Sequence, residues 1–212
     1  MTEDRFAVQL PGLDLKNPFM PSSGSFYYGL DHMKDFDLNK MGALVLKTTT
    51  VDERRGNPQP WIINTQAGIM NSVGLANPGM DKVATEILPE LETQLPDLPV
   101  MISIAGESVA EYRTLAKVFD KFDYIKALEL NLSCPNVDKG GMEFGVDPDS
   151  AAEDDAAVRK IKGNAPYAKL NPKKTDIKAE DKAVVTAGAD GVGGIKKEGG
   201  GGVGIGSREV CL

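Results

Sequence analysis

An α/β fold built on a parallel sheet is what this 212-residue sequence predicts, and three observations carry the expectation. Short apolar runs end in polar, β-branched or glycine residues. Amphipathic stretches with helical spacing follow several of them. The two kinds alternate along the chain, and strands that alternate with helices are joined by crossovers that leave neighbouring strands parallel.

The elements follow in order. The opening "FAVQLPGLDLKNPF" reads as two short strands around a Pro11–Gly12 turn. "ALVLKTTT", Ala43 to Thr50, is an apolar run with a β-branched end and reads as a buried strand. A long loop rich in Pro and Gly follows, through "RRGNPQPW" and "AGIMNSVGLANPG". From Asp81 to Leu95, the residues Val83, Ile87, Leu88, Leu91 and Leu95 recur at the spacing of a helix face. "VMISIAG" is a strand ended by glycine, and Ser108 with Glu111 forms a capping box opening a helix that buries Tyr112, Leu115 and Phe119. "YIKALELNLS" is a further strand, Ala151 to Lys162 a helix, "YAKLNP" a strand and Lys178 to Ala187 a helix. "GADGVGGI" begins as a strand, after which regular structure is predicted to dissolve into a flexible glycine-rich tail. Ten of the 25 residues from Gly188 to Leu212 are glycine, a density that weakens any element. This divides the chain into residues 1–188, an N-terminal hairpin plus five to six barrel-type strands, and a degenerate segment, 189–212. A closed eight-stranded barrel typically takes about 250 residues, so the barrel is incomplete as written.

Composition narrows the chemistry. A hydrophobic fraction of 41% and a charged fraction of 26% suit a globular protein with a real core. The net charge of −7 argues against nucleic acid, whose phosphates require clustered Lys and Arg. No apolar run approaches the roughly 20 residues of a membrane-spanning helix, and "MTEDRFAVQL" lacks the basic-then-apolar signal of an exported chain. Two cysteines are too few for a disulfide framework and suit a reducing cytoplasm. A single histidine, His32, argues against a His-based triad or a His-rich metal site.

Four places combine residues that chemistry needs. In "ELNLSCPN", Cys134 stands at a strand exit between Asn131 and Asn136, although asparagine is depleted in strands. A thiolate there serves as base or nucleophile; the plain alternative is a small buried hydrophobe. Lys47 and Lys169 each sit inside an apolar run, and lysine is almost never fully buried unless paired. Two such lysines at equivalent strand ends suggest an anionic ligand, against the alternative of side chains snorkelling to solvent. The loop Met70 to Gly79 can present Asn71 and backbone N–H groups to a carboxylate, and Gly24 in "PSSGS" permits close approach of a ligand, unless both are ordinary turns. "GGGGVGIG" lacks the Lys-Ser/Thr ending of a phosphate loop and reads as tail.

Taken in order, "NPFMPSSG", "LKTTT", "RRGNPQP", "MNSVGLANPG", "ELNLSCPNV" and "YAKLNP" resemble the class 1 dihydroorotate dehydrogenases. The stretches "DLNKMGALVLKTTT" and "NVDKGGMEFGVDP" look most like the NAD-linked 1B subclass. The resemblance implies a TIM-type (β/α)8 barrel that binds FMN and oxidises dihydroorotate to orotate in pyrimidine synthesis. It implies a homodimer working with an electron-transfer subunit that carries FAD and a 2Fe–2S cluster. On this resemblance Cys134 takes a proton from C5 while hydride leaves C6 for the flavin. Lys47 and Asn131 contact both ligands; Asn71, Ser72, Val73, Gly74, Leu75 and Asn136 hold the substrate. Ser23, Gly24, Thr48, Ser103, Lys169 and Ile195 line the flavin. Ser103 stands where the subclass usually has asparagine, and Lys196 with Lys197 replaces an expected Asn-Thr pair. These departures keep two alternatives in view: an inactive homologue acting in binding or assembly, and a flavin enzyme for neutral dihydropyrimidines.

Overall fold

The computed structural model describes residues 5–66, 68–131, 165–170, 186, 191–198 and 205–211. Strands β1 (Val8–Leu10) and β2 (Leu13–Leu15) form the antiparallel hairpin expected around Pro11–Gly12. Two 3-10 turns, Leu30–Lys34 and Leu38–Lys40, lead into β3 (Leu44–Thr49). A second hairpin, β4 (Ile62–Thr65) with β5 (Gly68–Asn71), occupies the long loop, where the sequence predicts no strands.

The first helix, α1, runs without a break through Met80–Lys82, a π-helical turn at Val83–Ile87, and Leu88–Gln94. Pro89 lacks an N–H and its ring crowds the carbonyl four residues back; a widened turn just before it relieves both conflicts. Val83, Leu88 and Leu91 face the core as their spacing predicts. β6 (Val100–Ile104) and α2 (Val109–Phe119) follow. The Ser108 half of the predicted α2 cap forms, the Glu111 amide donating to Ser108 Oγ, while the Glu111 carboxylate reaches one residue further back and accepts from the Glu107 amide at 2.8 Å.

β7 (Ile125–Asn131), β8 (Ala165–Leu170), β9 (Gly191–Glu198) and β10 (Ile205–Cys211) complete a six-stranded sheet ordered β10-β9-β8-β7-β6-β3. From β3 to β9 every pairing is parallel, the α/β arrangement that the alternation predicts. The far edge departs from expectation. Rather than dissolving, the glycine-rich end continues β9 through Lys196 and Lys197, and β10 pairs with it antiparallel. A ladder is made of backbone groups, which glycine supplies as well as any residue. Thr186 alone of the predicted Lys178–Ala187 helix is described and is helical; the predicted helix from Ala151 to Lys162 lies outside the described residues.

The sheet has two different faces. Leu44, Leu46, Val100, Ile102, Ile104, Leu128, Leu130 and Ala168 pack outward against α1 and α2 in the main core. Ala43, Val45, Met101 and Ala127 point the other way, into a smaller cluster closed by Leu13 and Leu15 of the first hairpin. The Tyr167 hydroxyl, donating to the Pro11 carbonyl at 2.7 Å, ties β8 to that hairpin. Because side chains alternate along a strand, the residues that follow on this inner face are Ser103, Glu129, Asn131 and Lys169.

Candidate active site

These four polar residues lie at the C-terminal ends of β6, β7 and β8, and all are buried. Register sets them side by side: Ser103 pairs with Glu129, and Asn131 with Lys169. Thr48 joins them through an irregularity in β3. Leu46 pairs with Ile102 but Thr49 with Ile104, so Lys47 and Thr48 together oppose Ser103. Strict alternation would turn Thr48 away from Val45's face. The bulge brings it in, as bulges beside functional sites do. There Thr48 Oγ1 bonds Ser103 Oγ at 2.9 Å and accepts from Asn131 Nδ2 at 3.1 Å. The Tyr112 hydroxyl of α2 donates to the Asn131 carbonyl at 3.1 Å and fixes the strand end from behind.

A second group adjoins the first. Lys169 is 7% exposed, and its ammonium lies 2.8 Å from Glu129 Oε1 and donates to Ser23 Oγ at 2.8 Å. A buried ammonium needs a counter-charge, and Glu129 supplies it. Ser23 is buried in the turn held by the Ser25 amide on the Ser22 carbonyl, whereas Gly24 is exposed. Lys47 is half-buried at the bulge, its amide donating to the Tyr27 carbonyl at 2.7 Å.

The loop after β5 is organised by residues that the sequence reading passes over. Asn77 is buried and does the work of a clamp. Its Oδ1 accepts from the amides of Thr50 and Gly79, while its Nδ2 donates to Thr50 Oγ1 and to the Leu75 carbonyl, both at 2.9 Å. The loop is thereby bolted to the residue following β3. Asn57 supports its middle: the Asn57 amide donates to the Val73 carbonyl at 3.1 Å and Nδ2 to Ser72 Oγ at 2.9 Å. Gly74 and Leu75 both have positive φ, 73° and 54°. A Cβ on Gly74 would stand 2.8 Å from the Asn57 amide nitrogen, so only glycine fits. Leu75 has no such excuse; a left-handed leucine costs of order 1–3 kcal/mol and persists where surrounding bonds impose it. Strain held in a polar loop beside a strand exit is the kind found at ligand clamps.

The structure therefore gathers Thr48, Ser103 and Asn131 into one buried group and Ser23, Lys169 and the added Glu129 into another beside it. Asn71, Ser72, Val73, Gly74 and Leu75 form a separate shaped loop anchored at Thr50. Ile195 is on β9, just beyond the pairing of Gly194 with Leu170. Cys134 and Asn136 lie outside the described residues, as do the residues directly following Asn131. Glu129 had a legible signal: it is a charged residue in the middle of "ALELN", in the inward phase of the alternation. Asn57 and Asn77 had none beyond composition, since their partners come from elsewhere in the chain.

A catalytic site of the parallel α/β class belongs at these strand ends, and comparison with known proteins says which family built this one. Residues 5–204 match the family model described as dihydroorotate dehydrogenase. Over 189 residues the chain is 48% identical to a Geobacillus kaustophilus protein named dihydroorotate dehydrogenase B (NAD(+)), catalytic subunit; 89% of this chain and 60% of that one are covered. It is 50% identical over 186 residues to a Lacticaseibacillus paracasei protein named dihydroorotate dehydrogenase A (fumarate), covering 88% and 64%. A Streptococcus pneumoniae NAD(+)-type catalytic subunit is 44% identical over 194 residues, covering 91% and 62%. The chain thus spans about three fifths of the length of the curated relatives it matches. On the match of nearly its whole length, this chain belongs to the dihydroorotate dehydrogenase family, whose architecture is the TIM-type barrel.

Proposed function

We propose that the chain carries the catalytic half-site of an FMN-dependent dihydroorotate dehydrogenase, oxidising dihydroorotate to orotate in pyrimidine synthesis. The observation that carries this reading is the change of the sheet's inner face from apolar to hydrogen-bonding at its C-terminal ends. The residues suit a flavin ring: a buried ammonium, a side-chain amide and hydroxyls converge where an electron-rich heterocycle needs donors. Lys169, Asn131, Ser23, Gly24, Thr48 and Ser103 would hold the ring, with Ile195 at its side. When bound, FMN supplies the hydride acceptor.

The chain's own groups do the rest. Cys134, just beyond β7, removes the C5 proton of dihydroorotate. A thiolate is suited to this once cationic neighbours lower its pKa. Lys47, on its bulge, meets negative charge building on the pyrimidine. Asn71 and the amides of Val73 to Leu75 hold the substrate carboxylate, with Ser72, whose own amide donates to the Trp61 carbonyl, beside them; the strained Gly74–Leu75 turn sets those amides in place before the ligand arrives. Asn131 and Asn136 hydrogen-bond the ring. A partner subunit bearing FAD and a 2Fe–2S cluster would link this catalytic component, a homodimer in the cytoplasm, to NAD.

Reconstitution tests this directly. The purified chain should take up FMN and lose its visible flavin absorbance when dihydroorotate is added without oxygen. A protein that stays colourless with excess FMN would refute the reading. Bleaching by dihydrouracil as fast as by dihydroorotate would reassign the substrate, because only the latter has the carboxylate. Relatives named for NAD(+) and for fumarate match at similar identity, so both acceptors belong in the assay.

A further inference from the structure

We propose that Glu129 is a positioning residue for the reaction: its buried carboxylate is the built-in counter-ion that holds the Lys169 ammonium against Ser23 and sets the charge a bound ring experiences. The inference rests on the flavin reading above and goes beyond it to a residue that reading does not use.

Glu129 and Lys169 are respectively 7% and 7% exposed, on the inner face of adjacent parallel strands. They are not register partners. Glu129 pairs with Tyr167 and Lys169 with Asn131, so the 2.8 Å contact runs diagonally, with Lys169 one step nearer the strand ends. An ammonium has three N–H donors. Ser23 Oγ takes one of them. The Glu129 carboxylate stands 2.8 Å away as counter-charge, so hydroxyl and carboxylate together confine where a flexible four-carbon side chain can place its ammonium.

Stability does not explain the pair. Desolvating two charges costs about as much as their attraction returns, and apolar replacements of buried ion pairs are often neutral or stabilising. The same inner face is apolar one step earlier at Ala127 and Met101, so the fold had that solution at hand. A charge pair kept at the functional end of the strands, and nowhere among the described residues of the apolar end, is there for what it does to Lys169.

Two measurements on the 212-residue chain decide this. The first is the midpoint potential of bound FMN. Glu129→Gln leaves the ammonium unbalanced and should shift the potential to more positive values; Lys169→Met should shift it to more negative ones. A role confined to folding would leave the potential where it is, so an unshifted Glu129→Gln protein with FMN bound overturns the proposal. The second measurement needs no flavin. In urea unfolding of the FMN-free chain, each single substitution should lower the midpoint while Glu129→Gln/Lys169→Met recovers most of the loss. Additive losses overturn the proposal, as does a double variant that fails to fold. Should the wild-type chain bind no FMN, the functional reading falls and this role with it, and the unfolding cycle then reports only whether Glu129 is the counter-ion of Lys169.

Discussion

The two ends of the sheet's inner face share strands β3, β6 and β7 and obey opposite rules. At the N-terminal ends, Ala43, Val45, Met101 and Ala127 are apolar and sealed by Leu13 and Leu15. At the C-terminal ends, Thr48, Ser103, Glu129, Asn131 and Lys169 are polar and buried, the first, second and fourth joined by hydrogen bonds and the other two by an ion pair. One end removes hydrocarbon from water; the other spends buried area on donors, acceptors and a charge pair. The difference teaches that stability and chemistry are separated along the strands by two residues, one repeat of the pleat.

Substitutions at the two ends should therefore fail in different assays. The largest effect is expected just past β7: Cys134→Ala should lower dihydroorotate-dependent flavin reduction by roughly 10²–10⁴-fold, the usual worth of a general base, with the urea midpoint unchanged. Unchanged reduction would remove Cys134 from its role. Leu13→Ala, at the sealed end, should cost about 2–5 kcal/mol of unfolding free energy, because the hairpin cannot collapse into the cavity without leaving β3. A loss below 1 kcal/mol would mean that the hairpin is not a plug.

Smaller effects sharpen the boundary. Asn57→Ala removes the support beneath Ser72 and Val73. With net hydrogen-bond contributions of about 0.5–1.5 kcal/mol, KM for dihydroorotate should rise by up to about tenfold while kcat is held. A fall in kcat alone would show that the loop does something other than hold substrate. Burial raises the pKa of Tyr28 well above the usual tyrosine value, although its 2.9 Å bond to Thr49 opposes the rise. A group whose folded pKa is raised contributes stability that is complete below the unfolded value, about pH 10, and lost as pH climbs toward the folded one. Tyr28→Phe should therefore flatten the alkaline decline in thermal midpoint above about pH 10. Tyr124, raised by burial and by nearby Glu92, leaves a residual decline of the same sign. The smallest effect belongs to Arg54, whose ion pair with Glu107 is partly exposed on both sides. Arg54→Ala should change stability by less than about 1 kcal/mol, and less still at high salt.

Much of this could be read from the chain. The period-two alternation in "ALELN" and "YAKL" already puts Ala127, Glu129 and Asn131, and Tyr167 with Lys169, on one face. The Ser108–Glu111 cap and the spacing from Val83 to Leu95 place both helices, because helix signals act over one or two turns. The β4–β5 hairpin was hidden, since its exposed Ile62, Ile63 and Ile69 lie in a stretch dominated by turn residues. The strand at Ile205–Cys211 was hidden because ladder formation depends on a partner's backbone, and glycine content reports only the weakness of the lone segment.

By itself the sequence determined the family, the strand–helix alternation and which residue types face inward. All of these follow from local spacing and from motifs a few residues long. Only the tertiary structure decided that Thr48 turns in through a bulge, that Asn57 and Asn77 brace the loop of Gly74, and that Lys169 meets Glu129 and Ser23. Lys169 and Ser23 are 146 residues apart, and Asn131 and Thr48 are 83. Contacts at such separations depend on register and on closure of long stretches of chain, and no local propensity encodes either.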